Sequence, residues 1–480
     1  MDNTRLSIVA LAALPIAVAL VGIARRRHRL GLLHLHVLLL ALSYGAYTVV
    51  DMLVTDVAGI DVLAVAALML ALVASILVLL AVHARLSAGA TRRVSVENFV
   101  GRVNAASYSA LIGIWLAAAA WHAYSYLAYG IVSFYDQQEL ARYAIFIPSW
   151  HGPVNELFVS LEFAVFIWLV ASISAGAGSR LLVLRLAMLT ATVMLLSLGG
   201  RREFLVMLIV GGVVWLVGRG KIGPYFTVGL LARGAVALAV AVLFSNLFQN
   251  VRIDYLTYSP RAGVPSSSVS FIDALFDIDA TLGNLKARTA LWRFHYAIME
   301  EQLNDPTNVM GGELVWHGLV GAIPRVFSPG KIVYSDDVLV CQYFAAICPN
   351  LWASDIDYPQ TVYSGLQADF GFPFIVLTPI WIFGVLWVVG VYDRLAKWGR
   401  IPKELYIVVF GFAAHLLVDI EQSVGSYFIF LRDIAILTVC FVALDIVVGR
   451  LGKVGRAAGR PPQRARGTNG RLVDSRVNSR

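Results

Sequence analysis

The sequence predicts an all-α polytopic membrane protein with about 11 transmembrane helices and one large extracytoplasmic loop. Three observations point there. Of 480 residues, 59% are hydrophobic and only 14% are charged. The apolar residues fall in long unbroken blocks rather than in a one-sided helical pattern, which is the composition of membrane spans. A single long stretch, from about Gln249 to Gln367, interrupts the succession of blocks.

A span needs roughly 20 apolar residues to cross about 30 Å of hydrocarbon. Blocks of that kind cover approximately residues 6–24, 30–50, 57–83, 105–132, 155–177, 181–199, 203–218, 226–248, 367–392, 404–418 and 427–449. The chain thus divides into a bundle of about 8 spans over 1–248, the loop over 249–366, about 3 further spans over 367–449, and a disordered basic cytoplasmic tail over 450–480.

Orientation follows from Lys and Arg, because short basic loops stay cytoplasmic. Arg25, Arg26, Arg27 and Arg29 follow the first span directly, which sets the N-terminus outside. Alternation then places 25 of the 38 Lys and Arg residues inside, 11 outside and two within spans. The first span lacks a basic leader and an A-x-A-like cleavage site, so it reads as retained rather than as a signal peptide. The expected location is the inner (plasma) membrane, multi-pass, with the C-terminus cytoplasmic. The formal charge of +8 reflects this topology and the tail. That tail has no aromatic residues and fits anionic lipid, not nucleic acid.

Parity puts the long loop outside, and a loop of that length has its own structure and task. It carries seven basic residues (Arg252, Arg261, Lys286, Arg288, Arg293, Arg325, Lys331) against twelve acids. A net negative loop is unsuited to general adhesion to anionic lipid, so a cation that meets phosphate here does so at a defined place. Within it, Leu282 to Leu303 reads as a helix with Ala287, Leu291, Phe294 and Ile298 on one face. Lys286, Arg293 and Glu300 recur every seven residues on another, as a substrate-facing stripe or a solvated face.

The stretch LSLGGRREFLVMLIVGG sets Arg201, Arg202 and Glu203 between two apolar runs. One helix over 181–218 would be about 57 Å long at 1.5 Å per residue, too long for a simple span. Gly199 and Gly200 offer a turn. The hairpin tip then presents both arginines at the outer surface, against the charge bias of topology, and such charges are functional-site candidates unless they only snorkel to lipid phosphate.

These segments resemble the Wzy-type O-antigen and exopolysaccharide repeat-unit polymerases. Gly200-Arg201-Arg202-Glu203-Phe204-Leu205 is similar to the family's Gly-and-Arg turn before an apolar span. Ile323-Pro324-Arg325 with Ser328-Pro329-Gly330-Lys331 resembles its outer-loop Pro-Arg and Pro-x-Lys pair. Pro359-Gln360-Thr361 and Gln367-Ala368-Asp369-Phe370-Gly371-Phe372-Pro373 look like the segment where its large loop re-enters the membrane. Asp369 stands where a Glu or Asn is expected, and no Lys-Pro follows Gly330.

The resemblance implies a GT-C-like glycosyltransferase, free of metal and other cofactors, that acts on polyprenyl diphosphate-linked oligosaccharide beside membrane lipid. A flippase and a chain-length regulator would be its partners. Charge builds on the departing diphosphate, so fixed cations stabilise the transition state. Arg202 and Arg325 are the catalytic candidates, with Arg201, Lys331, Arg252 and Arg288 binding substrate. The acceptor hydroxyl needs a proton acceptor. Asp369, Glu313 and His317 are the choices, and Tyr363, Trp316 or Trp352 could stack on sugar or anchor at the interface. Asp336-Asp337 reads as a solvated turn rather than a metal site. Cys341 and Cys348 sit where a disulfide is chemically allowed.

Three rivals remain at this level. An O-antigen ligase would share the fold. A glycolipid transporter without catalysis lacks support from internal repeats. A polyprenyl monophosphate-dependent enzyme would want an early acidic pair, whereas Asp51 and Asp56 look isolated.

Overall fold

The computed structural model describes residues 3–26, 31–54, 60–85, 94–104, 106–129, 148, 150–176, 182–198, 201–220, 236, 290–324, 328, 336–344 and 360–458. The chain divides into two compact units, residues 1–435 and 436–480. The described residues are mostly helical, without a strand, and Gly31 and Ser95 form an isolated antiparallel bridge.

The helices are α1 (Asn3–Arg26), α2 (Leu32–Val54), α3 (Val62–Arg85), α4 (Val96–Val103), α5 (Tyr108–Tyr129), α6 (His151–Ser174), α7 (Leu182–Leu198) and α8 (Arg201–Gly218). After them come α9 (Ala290–Asn304), α10 (Glu313–Ala322), α11 (Asp336–Tyr343), α12 (Val362–Phe370), α13 (Phe374–Lys397), α14 (Lys403–Val418) and α15 (Val424–Ala458). Seven are long and apolar enough to cross a membrane: α1, α2, α3, α5, α6, α13 and the stretch of α15 over Val424–Leu444. α7 and α8 contribute shorter apolar helices. Apart from Val236, the block at 226–248 lies outside the described residues. α15 continues to Ala458, past the point where the tail was expected to begin, and residues 459–480 lie outside the described ones.

In the first unit α1 packs on α2 and α3, while α6 is wrapped by α14, α8, α7 and α5. α14 is buried along nearly its whole length. It approaches α6 closely at Gly411, where an added Cβ would stand 2.5 Å from Ala164 Cβ. Small residues permit this spacing, and between apolar helices tight packing replaces the hydrophobic drive that water would supply.

Local signals explain the shorter elements. Ser95 caps α4 by accepting from Asn98 N at 3.2 Å, and Val96, Phe99, Val100 and Val103 form its buried face. α4 falls within the basic stretch 84–104 that topology alone explains as a loop. α12 opens with a capping box between Thr361 and Ser364 and ends at Gly371, whose φ of 65° favours glycine. Pro373 then starts α13. The expected span at 367–392 is therefore two helices, and the first of them, α12, is short and buried.

Candidate functional site

α2 is the spine of a buried polar network. His36, Tyr44, Thr48 and Asp51 recur at intervals of seven or eight residues or one turn, so they share one face of an apolar helix. All four are buried. A membrane helix keeps such groups only where they find partners; α9, α12 and α14 bring them to His36, Tyr44 and Asp51, while Thr48 donates to the Tyr44 carbonyl of its own helix.

At the far end of α2, Asp51 accepts from Trp292 Nε1 at 3.0 Å and from Arg293 through Nε at 2.5 Å and Nη2 at 3.0 Å. Two parallel bonds from one guanidinium fix its orientation as well as its position. The arginine side chain remains 42% exposed while the carboxylate is sealed. Arg293 is thus engaged with α2 rather than lying on a solvated face, and Asp51 is not isolated. Lys286 lies outside the described residues.

Two turns along, Thr361 Oγ1 and Tyr44 Oη are 3.0 Å apart, and Tyr44 Oη is 2.8 Å from His295 Nδ1. His295 Nε2 reaches Gln367 Oε1, and Gln367 Nε2 donates to Gln302 Oε1 at 3.2 Å. Gln302 Nε2 donates to the Gln367 and Asn308 carbonyls. One set of proton positions satisfies the chain: Thr361 donates to Tyr44, Tyr44 to His295 Nδ1, and His295 Nε2–H to Gln367. The next contact is His36, with Nδ1 2.6 Å from the Leu417 carbonyl and Nε2 2.9 Å from Tyr363 Oη. Since a carbonyl only accepts, Nδ1 donates and Nε2 receives the tyrosine proton.

The network makes His295 a neutral group. Burial lowers its pKa from the usual 6.5 to about 3, against a smaller upward pull from Gln367. A base whose folded pKa is depressed stabilises the fold fully above the unfolded value and loses that contribution as pH falls from 6.5 toward 3. Each unit in this window corresponds to about 1.4 kcal/mol. Thermal unfolding of the purified protein should therefore show a steeper loss of stability on acidification than His295→Gln does; identical slopes would show that α9 is not held by a neutral imidazole.

Asp369 has a structural task. Its Oδ1 accepts from Leu314 N at 3.0 Å and its Oδ2 from Val315 N at 2.9 Å, so a carboxylate on α12 caps the N-terminus of α10. Met310 N and Gly311 N add bonds to the Ala368 and Asp369 carbonyls. Burial raises the Asp369 pKa, and the helix N–H groups oppose that. Both oxygens face backbone donors, which gives Asp369 a positioning task at the start of α10. Tyr363 also differs from expectation: fully buried against His36, it offers no open ring face to a sugar. Burial pushes its phenol pKa well up.

Glu313 and His317 lie one turn apart on α10, hence on one face. The Glu313 carboxylate hydrogen-bonds Tyr343 and pushes its phenol pKa up. Trp316 is 62% exposed beside them. Arg201 and Arg202 open α8, directly after the Gly199-Gly200 pair, with side chains outside the described ones. Arg252, Arg288, Arg325, Lys331 and Trp352 also lie outside the described residues, as do the side chains of Asp336 and Asp337. Cys341 is disulfide-bonded and Cys440 is a free thiol; the third cysteine, Cys348, lies outside the described residues. Among the described residues no three His, Cys, Asp or Glu side chains gather as a metal site.

Sequence reasoning missed the α2 face, though its signal was present as polar residues spaced to one side of an apolar block. No family model, no curated protein and no solved structure matches this chain.

Proposed function

We propose that the chain polymerises polyprenyl diphosphate-linked oligosaccharide repeat units into a cell-envelope polysaccharide at the outer face of the plasma membrane. The proposed architecture is GT-C-like, with eleven spans, the N-terminus outside and the C-terminus cytoplasmic. The observation that carries this reading is the start of α8. Arg201 and Arg202 occupy the first turn of a helix, where unpaired backbone N–H groups and the helix dipole already favour an anion. Two cations there oppose folding unless negative charge offsets them, and Glu203 supplies only one. A diphosphate satisfies both the helix end and the guanidinium groups.

Two further features support the reading. The re-entry segment that resembles the polymerase family is a buried helix tied to α2 and α9 by side-chain hydrogen bonds, which gives the loop a rigid base. The disulfide at Cys341 suits an oxidising, extracytoplasmic compartment.

In the proposed reaction the bond between the sugar anomeric carbon of the growing chain and its lipid diphosphate breaks. A hydroxyl of the incoming lipid-linked unit forms the new glycosidic bond, its proton passes to a base, and the lipid diphosphate leaves with the electron pair. Arg202, Arg325 and Arg201 hold the leaving diphosphate, with Lys331, Arg252 and Arg288 as further contacts. Glu313 or His317 takes the proton, held in place by the Asp369 cap beneath α10.

The test is donor-only synthesis. Purified protein in liposomes with lipid diphosphate-linked repeat units should lengthen the glycan with no other acceptor present. Transfer that requires a second anchor would make the protein a ligase, and flipping without growth would make it a transporter; either result overturns the polymerase.

A further inference from the structure

A second polar seam runs between α5 and α6, away from the α2 network. On α6, His151, Asn155 and Glu162 follow one another down a single face, and on α5 Ser125, His122 and Trp121 answer them. Ser125 Oγ meets His151 Nε2 at 3.0 Å nearest the α5–α6 hairpin, and Trp121 Nε1 donates to Asn155 Oδ1 at 3.1 Å. Farthest along α6 is Glu162, whose Oε1 lies 2.6 Å from His122 Nε2.

Glu162 lies at the midpoint of the 24-residue α6, one of the seven membrane-length helices. Its side chain is 2% exposed, that of His122 21%. The contact is short but out of line for a hydrogen bond, and neither Glu162 oxygen has another donor among the described residues. An ionised carboxylate here beside a neutral imidazole would bury a net charge at a cost of several kcal/mol. One added proton removes that charge, whether it rests on nitrogen or oxygen.

The surrounding groups do not replace that proton. α14 brings His415, its ring 5.1 Å from Phe163, and α15 brings Arg432, which faces Glu156 at 3.9 Å and Asp433 at 2.7 Å. α7 carries Arg185 over the Tyr108 ring, and α4 carries Glu97 and Arg102, the latter paired with Asp393. The described side chains of α8 include no titratable group.

We propose that His122 and Glu162 form a proton-binding site within the helix bundle, reached from the end of α5 and α6 at which Ser125 meets His151. A proton taken from water at that end reaches His122 Nε2 first, the more exposed partner, and is shared with Glu162 Oε1. This site does not depend on the polymerase reading.

Infrared difference spectra of the full chain in liposomes, recorded between mildly acidic and mildly alkaline pH, test it. The protonated-carboxyl band should appear on acidification, vanish in Glu162→Gln, persist at a shifted frequency in Glu162→Asp, and change its midpoint in His122→Asn. An unchanged band in Glu162→Gln would overturn the assignment. Loss of the band on adding sodium ions at constant pH would also overturn it, by making the site one for metal cations.

Discussion

On the proposed polymerase reading, replacing Arg202 or Arg325 with alanine should lower the rate of chain growth by about 100- to 1000-fold, while the amount of protein in the membrane stays normal. That is the range expected when one preorganised donor to a developing anion is removed from a water-poor site. The loss should fall on the chemical step more than on substrate binding, because the diphosphate gains charge only as the glycosidic bond breaks. Lysine at either position keeps the charge and loses the planar fork, so Arg202→Lys and Arg325→Lys should stay closer to alanine than to the native protein. Arg201→Ala tests whether the second guanidinium of the α8 turn shares the load. Single-turnover measurements with lipid-linked repeats, alongside quantitation of membrane protein, separate these effects. Full activity in both Arg202→Ala and Arg325→Ala would remove the proposed site.

The sequence made the membrane class legible because long apolar blocks have one physical explanation, and among the described residues seven helices meet the length and hydropathy needed. α7 ends at Leu198 and α8 begins at Arg201, while the Gly199-Gly200 pair expected to turn between them lies outside the described residues. What hid was partner choice. Asp51 looked isolated because its ligands, Trp292 and Arg293, lie some 240 residues away. His122 and Glu162 look like scattered polar residues until two helices run antiparallel and align them. Asp369 was assigned from a motif, and the motif cannot say which way a carboxylate faces. In the fold it faces the N–H groups of α10. α4 was missed for a different reason: its arginine served the topology count, although Ser95 and the spacing of Val96, Phe99, Val100 and Val103 already marked a capped amphipathic helix.

Gly411→Val should prevent stable folding, and Gly411→Ala should already cost about 1–3 kcal/mol, the usual range for overpacking. A Cβ at this position would meet Ala164 Cβ at 2.5 Å and Ala164 Cα at 2.6 Å. Those neighbours belong to the backbone and first side-chain atom of α6, so neither can rotate away. The strain must instead push α14 off α6, and α14 also carries the Leu417 carbonyl that receives His36. Damage at one helix crossing therefore reaches the α2 network and the α12 helix bound to it. Gly384→Ala and Gly390→Ala on α13 supply the control, since a Cβ there meets nothing within 4 Å. Alanine in an open helical position adds up to about 1 kcal/mol of helix propensity, so both controls should be neutral or more stable. Melting temperature and monodispersity in detergent read the difference directly. Equal stability of Gly411→Ala and the two controls would mean that α6 and α14 do not pack as closely as this crossing requires, and the placement of His36 against Leu417 would lose its support.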